Sequence, residues 1–291
     1  MKKTKRILAL LFSLTVVALA FAACGTAENT TSNNTSNVAS AGYRTLEQIK
    51  ASGTINIGVF SDKHPFGYVD ENGEYQGYDI YLARRLAEDL GVKVNFVSTE
   101  AANRIEYLQT NKVDLILANF TVTTARAQQV DFALPYMNVA LGVISPNSRV
   151  ITDLSAWNDN DRMIVISGTT AETYLTQHYP NIKLQKYDSY ANAKIALENG
   201  NGAAWANDNT EIIAFSRQNP GYTVGISSLG DPETIAPAVA KGNESLLNWL
   251  NEELQTLYQQ RFFHTAYQAM LVDTYGQDYE ETLVISGNQT N

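Results

Sequence analysis

Cysteine is almost missing from this sequence: Cys24 is the only one in 291 residues. That excludes an internal disulfide and a thiolate metal cluster. Histidine is nearly as scarce. His64, His178 and His264 lack metal-ligand spacing, so neither a metal nor any other cofactor is expected. Gly-x-Ser-x-Gly, His-Glu-x-x-His and phosphate-loop patterns do not occur, which argues against the enzymes that carry them. Basic residues are in deficit, 21 Lys and Arg against 30 Asp and Glu. Such a surface disfavours nucleic acid and electrostatic capture by anionic lipid, and an anionic ligand then needs a specific local cation. Apolar side chain is plentiful, at 44% of the chain with 10% aromatic, enough for a packed core and against disorder throughout.

The first 23 residues are a different material. Lys2, Lys3, Lys5 and Arg6 precede an apolar run from Ile7 to Ala20, followed by Phe21-Ala22-Ala23-Cys24. This is the order of a secretory signal peptide, and the run is too short to cross a bilayer comfortably. The residues before Cys24 resemble a bacterial lipobox, with Phe21 where Leu is usual. That resemblance implies cleavage before Cys24, lipidation of its sulfur and anchoring at the outer face of the bacterial cytoplasmic membrane or in the periplasm. Residues 24–42 are rich in Ser, Thr and Asn and are expected to form a flexible, lipid-anchored linker. Loss of residues 1–23 removes four of the 21 basic residues and no acidic one, leaving 17 against 30, a net charge of −13. No trailing transmembrane segment is expected.

From Thr45 onward short β-type runs alternate with helix-type runs, the pattern of an α/β fold with largely parallel sheets. Strands are predicted over 54–60, 92–98 and 114–120, helices over 80–91 and 103–111, and a hairpin over 68–79 turning at Asn72-Gly73. A second set has strands over 163–167, 182–187 and 202–208 and helices over 169–179, 190–200 and 209–219. Two extended segments, 137–146 and 234–242, connect the sets, and the last helices (243–271) follow the second connection. The economical reading is two lobes joined by two hinge strands. Lobe 1 is discontinuous over 43–141 and 237–280, lobe 2 covers 142–236, and 281–291 form a C-terminal tail.

The segment GYDIYLARRLAEDLG (77–91) resembles the signature of the bacterial family 3 extracellular solute-binding proteins, with Tyr81 at a position that is usually acidic. ANFTVTTARAQQVDFALPY (118–136), SGTTAETY (167–174) and NDNT (207–210) are similar to that family's binding segments, in the same order. The similarity spans residues 43–275. It implies a two-lobed periplasmic-binding-protein-like fold (type II), a free amino acid as ligand, an ABC transporter permease as partner, no catalysis and a monomeric protein. IGVFSDKHPFGYVDENGEYQGYDIYLA, EAANRIEYL and ANFTVTTAR are especially similar to the family's cysteine-binding branch. The ligand this implies is L-cysteine or cystine, ahead of aspartate or glutamate.

A free amino acid is a zwitterion, so its site needs a fixed cation and a fixed anion. Arg126 suits the α-carboxylate because a guanidinium makes two parallel charge-assisted bonds. The Thr121 hydroxyl and the backbone around Asn119 complete that ring, although spacing alone leaves open a surface pair between Arg126 and Asp131. Thr170 is expected at the carboxylate from a helix start whose N–H groups attract anions, while Thr169 and Glu172 read as a capping box. Asp208 resembles the family's acceptor for the α-ammonium; the N-cap of the helix over 209–219 is its other open role. Phe60 and Phe66 flank the first loop and either wall the ligand or enter the core, Phe66 more readily. Beside the small Ala101, Arg104 either reaches a polar or anionic ligand side chain or lies on a solvated helix face. A ligand gripped by Arg126 from lobe 1 and by Asp208 and Thr170 from lobe 2 closes the hinge. The rival reading is a dehydratase-like enzyme on the same fold.

Overall fold

The computed structural model describes residues 42–287. The expected leader, Cys24, nearly all of the expected linker and the last four residues lie outside the described residues. The described chain opens with α1 (Leu46–Ser52), started by a reciprocal box in which Thr45 accepts from the Gln48 amide and the Gln48 side chain accepts from the Thr45 amide. β1 (Thr54–Val59) follows, then β2 (Asp62–Lys63), β3 (Gly67–Val69) and β4 (Tyr75–Gln76). The last three form a small antiparallel sheet, one strand more than the Asn72-Gly73 turn alone predicts.

α2 (Tyr78–Leu90) starts two residues before its apolar stripe, after Gly77 at φ 118. It buries Ile80, Leu82, Ala83, Leu86 and Leu90 and ends on Gly91 at φ 73, whose N–H caps the Ala87 carbonyl. Next come β5 (Lys93–Ser98), α3 (Arg104–Gln109), β6 (Leu115–Ile116), α4 (Thr124–Ala127) and β7 (Val130–Phe132). β6 is much shorter than its apolar run: it ends at Ile116, and Asn119 further along takes the left-handed conformation at φ 44.

β8 (Met137–Pro146) leads into the second set: β9 (Arg162–Ile166), α5 (Thr170–His178), β10 (Lys183–Tyr187), α6 (Tyr190–Glu198), β11 (Ala204–Asp208), α7 (Asn209–Gln218) and β12 (Tyr222–Ile235). The chain returns as β13 (Ala238–Ala240) and closes with α8 (Glu244–Gln259), α9 (Phe262–Met270), α10 (Val272–Tyr275) and α11 (Glu280–Leu283). Each lobe is built on a five-stranded sheet, ordered β5-β1-β6-β13-β7 in one and β10-β9-β11-β8-β12 in the other. Each sheet has two parallel and two antiparallel pairings, so both are mixed rather than largely parallel. The strands that enter and leave each lobe supply the antiparallel half.

β8 and β12 run side by side between the lobes, with Met137 opposite Ile235 and Asn138 opposite Thr234. The segment 234–242 is therefore divided: Ile235 ends β12, and residues 238–240 already belong to the first sheet. The 14 residues of β12 carry Gly225, Gly230 and Pro232 and pair with three register shifts. Such bulges bend and twist a strand, which suits one that crosses between lobes. Leu283, Val284 and Ile285, in the expected tail, are buried, and Val284 bridges Met137 at the start of β8.

Candidate functional site

The site begins with a buried carboxyl. Asp79, in the first turn of α2, accepts the Asn119 amide at 2.9 Å and the Tyr136 hydroxyl at 2.6 Å. Burial outweighs these two bonds and pushes the Asp79 pKa up to about 7. Asp79 thereby fixes the left-handed turn at Asn119, a conformation that costs an ordinary L-residue about 1–2 kcal/mol. The Asn119 side-chain amide is buried, and neither its oxygen nor its nitrogen has a partner among the described residues.

Two guanidiniums flank Phe120. The Arg104 group lies 4.4 Å and the Arg126 group 4.9 Å from the ring centre. Arg126 follows the Thr123 cap of α4 and donates to the Thr121 carbonyl at 2.8 Å and, across the cleft, to the Gly168 carbonyl at 2.9 Å. Its suggested surface partner is engaged elsewhere: Asp131 holds Lys241 at 2.6 Å and the Gly242 amide at 2.7 Å. Arg104 is 3% exposed, so the solvated alternative fails. It donates to the carbonyls of Ala101, Ala118 and Asn119, and across the cleft to that of Gly168 at 3.2 Å. Burial and the neighbouring charge of Arg126 push the Arg104 pKa down to about 9. Burial also lowers that of Arg126, against the opposing fields of Asp208 and Glu233.

Gly168 faces this pair from lobe 2, its carbonyl accepting from both. Its φ is 77, and a Cβ there would lie 2.6 Å from the Ala102 Cα in the facing lobe. Thr169 caps α5 by accepting the Glu172 amide at 3.3 Å. The reciprocal half of the expected box is absent: the Glu172 carboxylate reaches back to the Gly168 amide at 2.7 Å instead. Thr170 opens the helix with a buried hydroxyl whose interaction with Glu233 opposes the rise of that carboxyl's pKa. Beside it on β12 stands Glu233, whose pKa burial and the nearby Asp208 raise to about 7, against the attraction of Arg126. Arg126, Thr170 and Glu233 line a cleft of about 470 Å³ between α4, α5 and β12.

Asp208 ends β11 immediately before α7 but gives its side chain to no helix amide. That removes the capping role. Its carboxylate meets Lys63 from β2, with Nζ 3.2 Å from Oδ2, and the ammonium also reaches the Tyr190 hydroxyl at 3.3 Å. Lys63 is fully buried. Burial disfavours its charged form, yet Tyr190, Asp208 and Glu211 outweigh this and leave its pKa above the ordinary value. Phe60 is buried beside this cluster, with the Tyr190 ring 5.2 Å away edge-on, whereas Phe66 sits in the lobe 1 core.

The structure thus brings Arg126, Thr121, Asn119, Arg104 and Phe60 of lobe 1 and Thr170 and Asp208 of lobe 2 along one seam between the lobes; of these, Arg126 and Thr170 line the cleft. Sequence reasoning missed Lys63, Tyr190 and Glu233. The only written signal for Lys63 was its place between Phe60 and Phe66, which gives its stem and ammonium aromatic walls at 5.6 and 5.5 Å.

Residues 55–271 match the bacterial extracellular solute-binding proteins, family 3. Among solved structures, a solute receptor for L-cysteine of Neisseria gonorrhoeae is similar at 48% identity and a TM-score of 0.81, over 83% of this chain and 100% of that one. A cysteine-binding protein from Campylobacter jejuni is 48% identical with a TM-score of 0.80, over 82% of this chain and 98% of its own. The ABC transporter glutamine-binding protein GlnH of Bacillus subtilis is 28% identical over 220 residues, 73% of this chain and 79% of that protein.

Proposed function

The chain belongs to the bacterial extracellular solute-binding proteins, family 3, and from that premise we propose that it captures a polar L-amino acid between its lobes and delivers it to an ABC transporter permease. The observation that carries this reading is the meeting of Arg126 and Asp208 in one seam from opposite lobes, each bonded across it: Arg126 to the Gly168 carbonyl, Asp208 to Lys63. A zwitterion placed there has its carboxylate on Arg126 and Thr170. Its ammonium goes to Asp208, with the unpartnered side-chain oxygen of Asn119 and the Thr121 hydroxyl alongside. Most of these contacts need both lobes, so the ligand favours the closed arrangement. Moving a hinge from mostly open to mostly closed takes about 5.5 kcal/mol of differential binding. A few charge-assisted bonds at about 1.5–3 kcal/mol each are enough.

L-cysteine is the favoured ligand, supported by the two cysteine receptors at 48% identity, with cystine next. Aspartate or glutamate is the second reading, favoured by the buried Arg104 guanidinium. Lobe 1 is taken as 43–141 with 237–280, and lobe 2 as 142–236. The protein acts as a carrier rather than a catalyst. It is exported, monomeric, and held at the membrane by lipid on Cys24 through the linker 24–42.

A thermal-shift screen of the purified protein against the twenty amino acids and cystine tests this. Cysteine gives the largest rise in melting temperature. Flat curves throughout reject the capture reading, and a rise with glutamate but not cysteine rejects the ligand. Turnover of prephenate-like acids rejects the carrier assignment.

A further inference from the structure

Positive charge accumulates at the Phe60 end of the seam. The Lys63 ammonium lies 5.6 Å and the Arg104 guanidinium 5.7 Å from the Phe60 ring centre, and Arg126 shares Phe120 with Arg104. Asp208 answers Lys63. Among the described residues, Arg104 and Arg126 give their side-chain bonds to uncharged backbone carbonyls. The remaining acidic groups do not restore the balance. Asp79 on α2 and Glu233 on β12 are both raised to about 7 by burial, so each is about half protonated at neutral pH. Glu211 on α7 is held by Lys194 on α6 at 2.8 Å. Tyr190 is kept neutral by burial, and His64, next to Lys63, is shifted down by burial and Lys194, so neither contributes a compensating anion. A bound zwitterion has no net charge and leaves the surplus in place. Arg104 is the buried cation left without an anionic partner, a costly arrangement, so the site favours a ligand that brings one further negative charge.

We propose that the site takes L-cysteine as its thiolate, with the sulfur at the Phe60 end facing Lys63 and Arg104 and the α-carboxylate on Arg126. This deepens the proposed function and rests on its cysteine reading. The step is a single proton transfer. The S–H bond breaks, the electron pair stays on sulfur, and the proton passes through water to the buffer. Free cysteine is only a few per cent thiolate at pH 7, but neighbouring Lys and Arg bring thiol pKa values down to about 3.5–7.5. On this reading the same surplus selects against serine. The two side chains differ little in shape, but the serine hydroxyl does not ionise, so the discrimination is by charge. Aspartate is the rival occupant, since its second carboxylate brings the same charge on a longer forked group.

Titration calorimetry of the protein with reduced L-cysteine at pH 7, in buffers of differing ionisation enthalpy, counts the protons released. About one per cysteine is expected. S-methyl-L-cysteine and L-serine report proton changes at Asp79, Glu233 and His64, and cysteine exceeds both by about one proton. Ultraviolet difference spectra of the complex show a thiolate band, and below the free thiol pKa cysteine affinity rises about tenfold per pH unit. Lys63→Met lowers the proton count; if that variant does not fold, the calorimetry and spectra of the unaltered protein decide alone. Cysteine bound with no excess proton release and no thiolate band overturns the thiolate and leaves the cysteine receptor standing. Binding of another amino acid with none of cysteine overturns both. Aspartate bound more tightly than cysteine overturns the thiolate as the anion the site selects.

Discussion

Lys63 and Asp208 face each other from opposite lobes, Nζ to Oδ2 at 3.2 Å, with the ammonium fully buried. The proposed ligand ammonium must therefore share its acceptor with a resident one. A carboxylate has two oxygens and about four acceptor positions, so Asp208 can serve both, but neither cation is held by it alone. Removing the carboxylate exposes that dependence.

Asp208→Asn leaves Lys63 buried and unpaired, and denaturant unfolding is expected to show a loss of about 3–5 kcal/mol. The double variant Lys63→Met with Asp208→Asn recovers most of that stability and still fails to bind amino acid. A single Asp208→Asn as stable as the parent would mean that the pair contributes no structural term.

Arg126→Ala removes both charge-assisted bonds proposed for the α-carboxylate. At about 1.5–3 kcal/mol each, affinity falls by at least about a hundredfold, and the ligand-induced thermal shift vanishes. Arg126→Lys keeps the charge but not the fork and recovers only part of the loss. Tight binding by Arg126→Ala would place the carboxylate elsewhere.

Gly168→Ala drives a methyl group to 2.6 Å from the Ala102 Cα and forces φ 77 on an L-residue. The strain costs about 1–2 kcal/mol, and the lobes are held apart. Small-angle scattering with saturating ligand should show a larger radius of gyration than the parent, and ligand affinity should fall by at least about tenfold. An unchanged closed radius would remove Gly168 from the seam.

Asp79 and Glu233 both titrate near 7 in the folded protein, above their unfolded values. Each binds more protons folded than unfolded between about pH 4 and 7, so its contribution to stability is complete below about pH 4 and is lost as pH rises through 7. The melting temperature is expected to fall from pH 5 to pH 7.5 and then level off. Glu233→Gln makes that slope shallower, and a slope unchanged in the variant would mean that the Glu233 carboxyl titrates at its ordinary value.

Much of the architecture could be read from periodicity. Ile80, Leu82, Ala83, Leu86 and Leu90 mark the buried face of α2, and Gly91 marks its end, because burial and backbone sterics leave local traces. β12 left none. Its apolar residues are broken by Gly225, Gly230 and Pro232, and bulges destroy the alternation that identifies a strand. In the site, Arg126, Thr170 and Asp208 were legible as residue types in family segments, and the structure gathers them into one seam. Arg104 was left between two roles, since nothing local says that a helix arginine will find four carbonyls, one of them 64 positions away. Lys63 was invisible for the same reason: a lysine reads as surface unless its partner is known, and Asp208 is 145 positions away.

The carbonyl of Gly168, accepting from both Arg104 and Arg126, puts a main-chain atom where side-chain scanning has no purchase. Every replacement of this residue keeps the oxygen and adds bulk, so a mutational survey will score the position for crowding alone. An ester in place of the 168–169 amide weakens that oxygen as an acceptor without adding an atom on the cleft side. Semisynthesis, rather than codon exchange, is the way to weigh what the two guanidiniums hold.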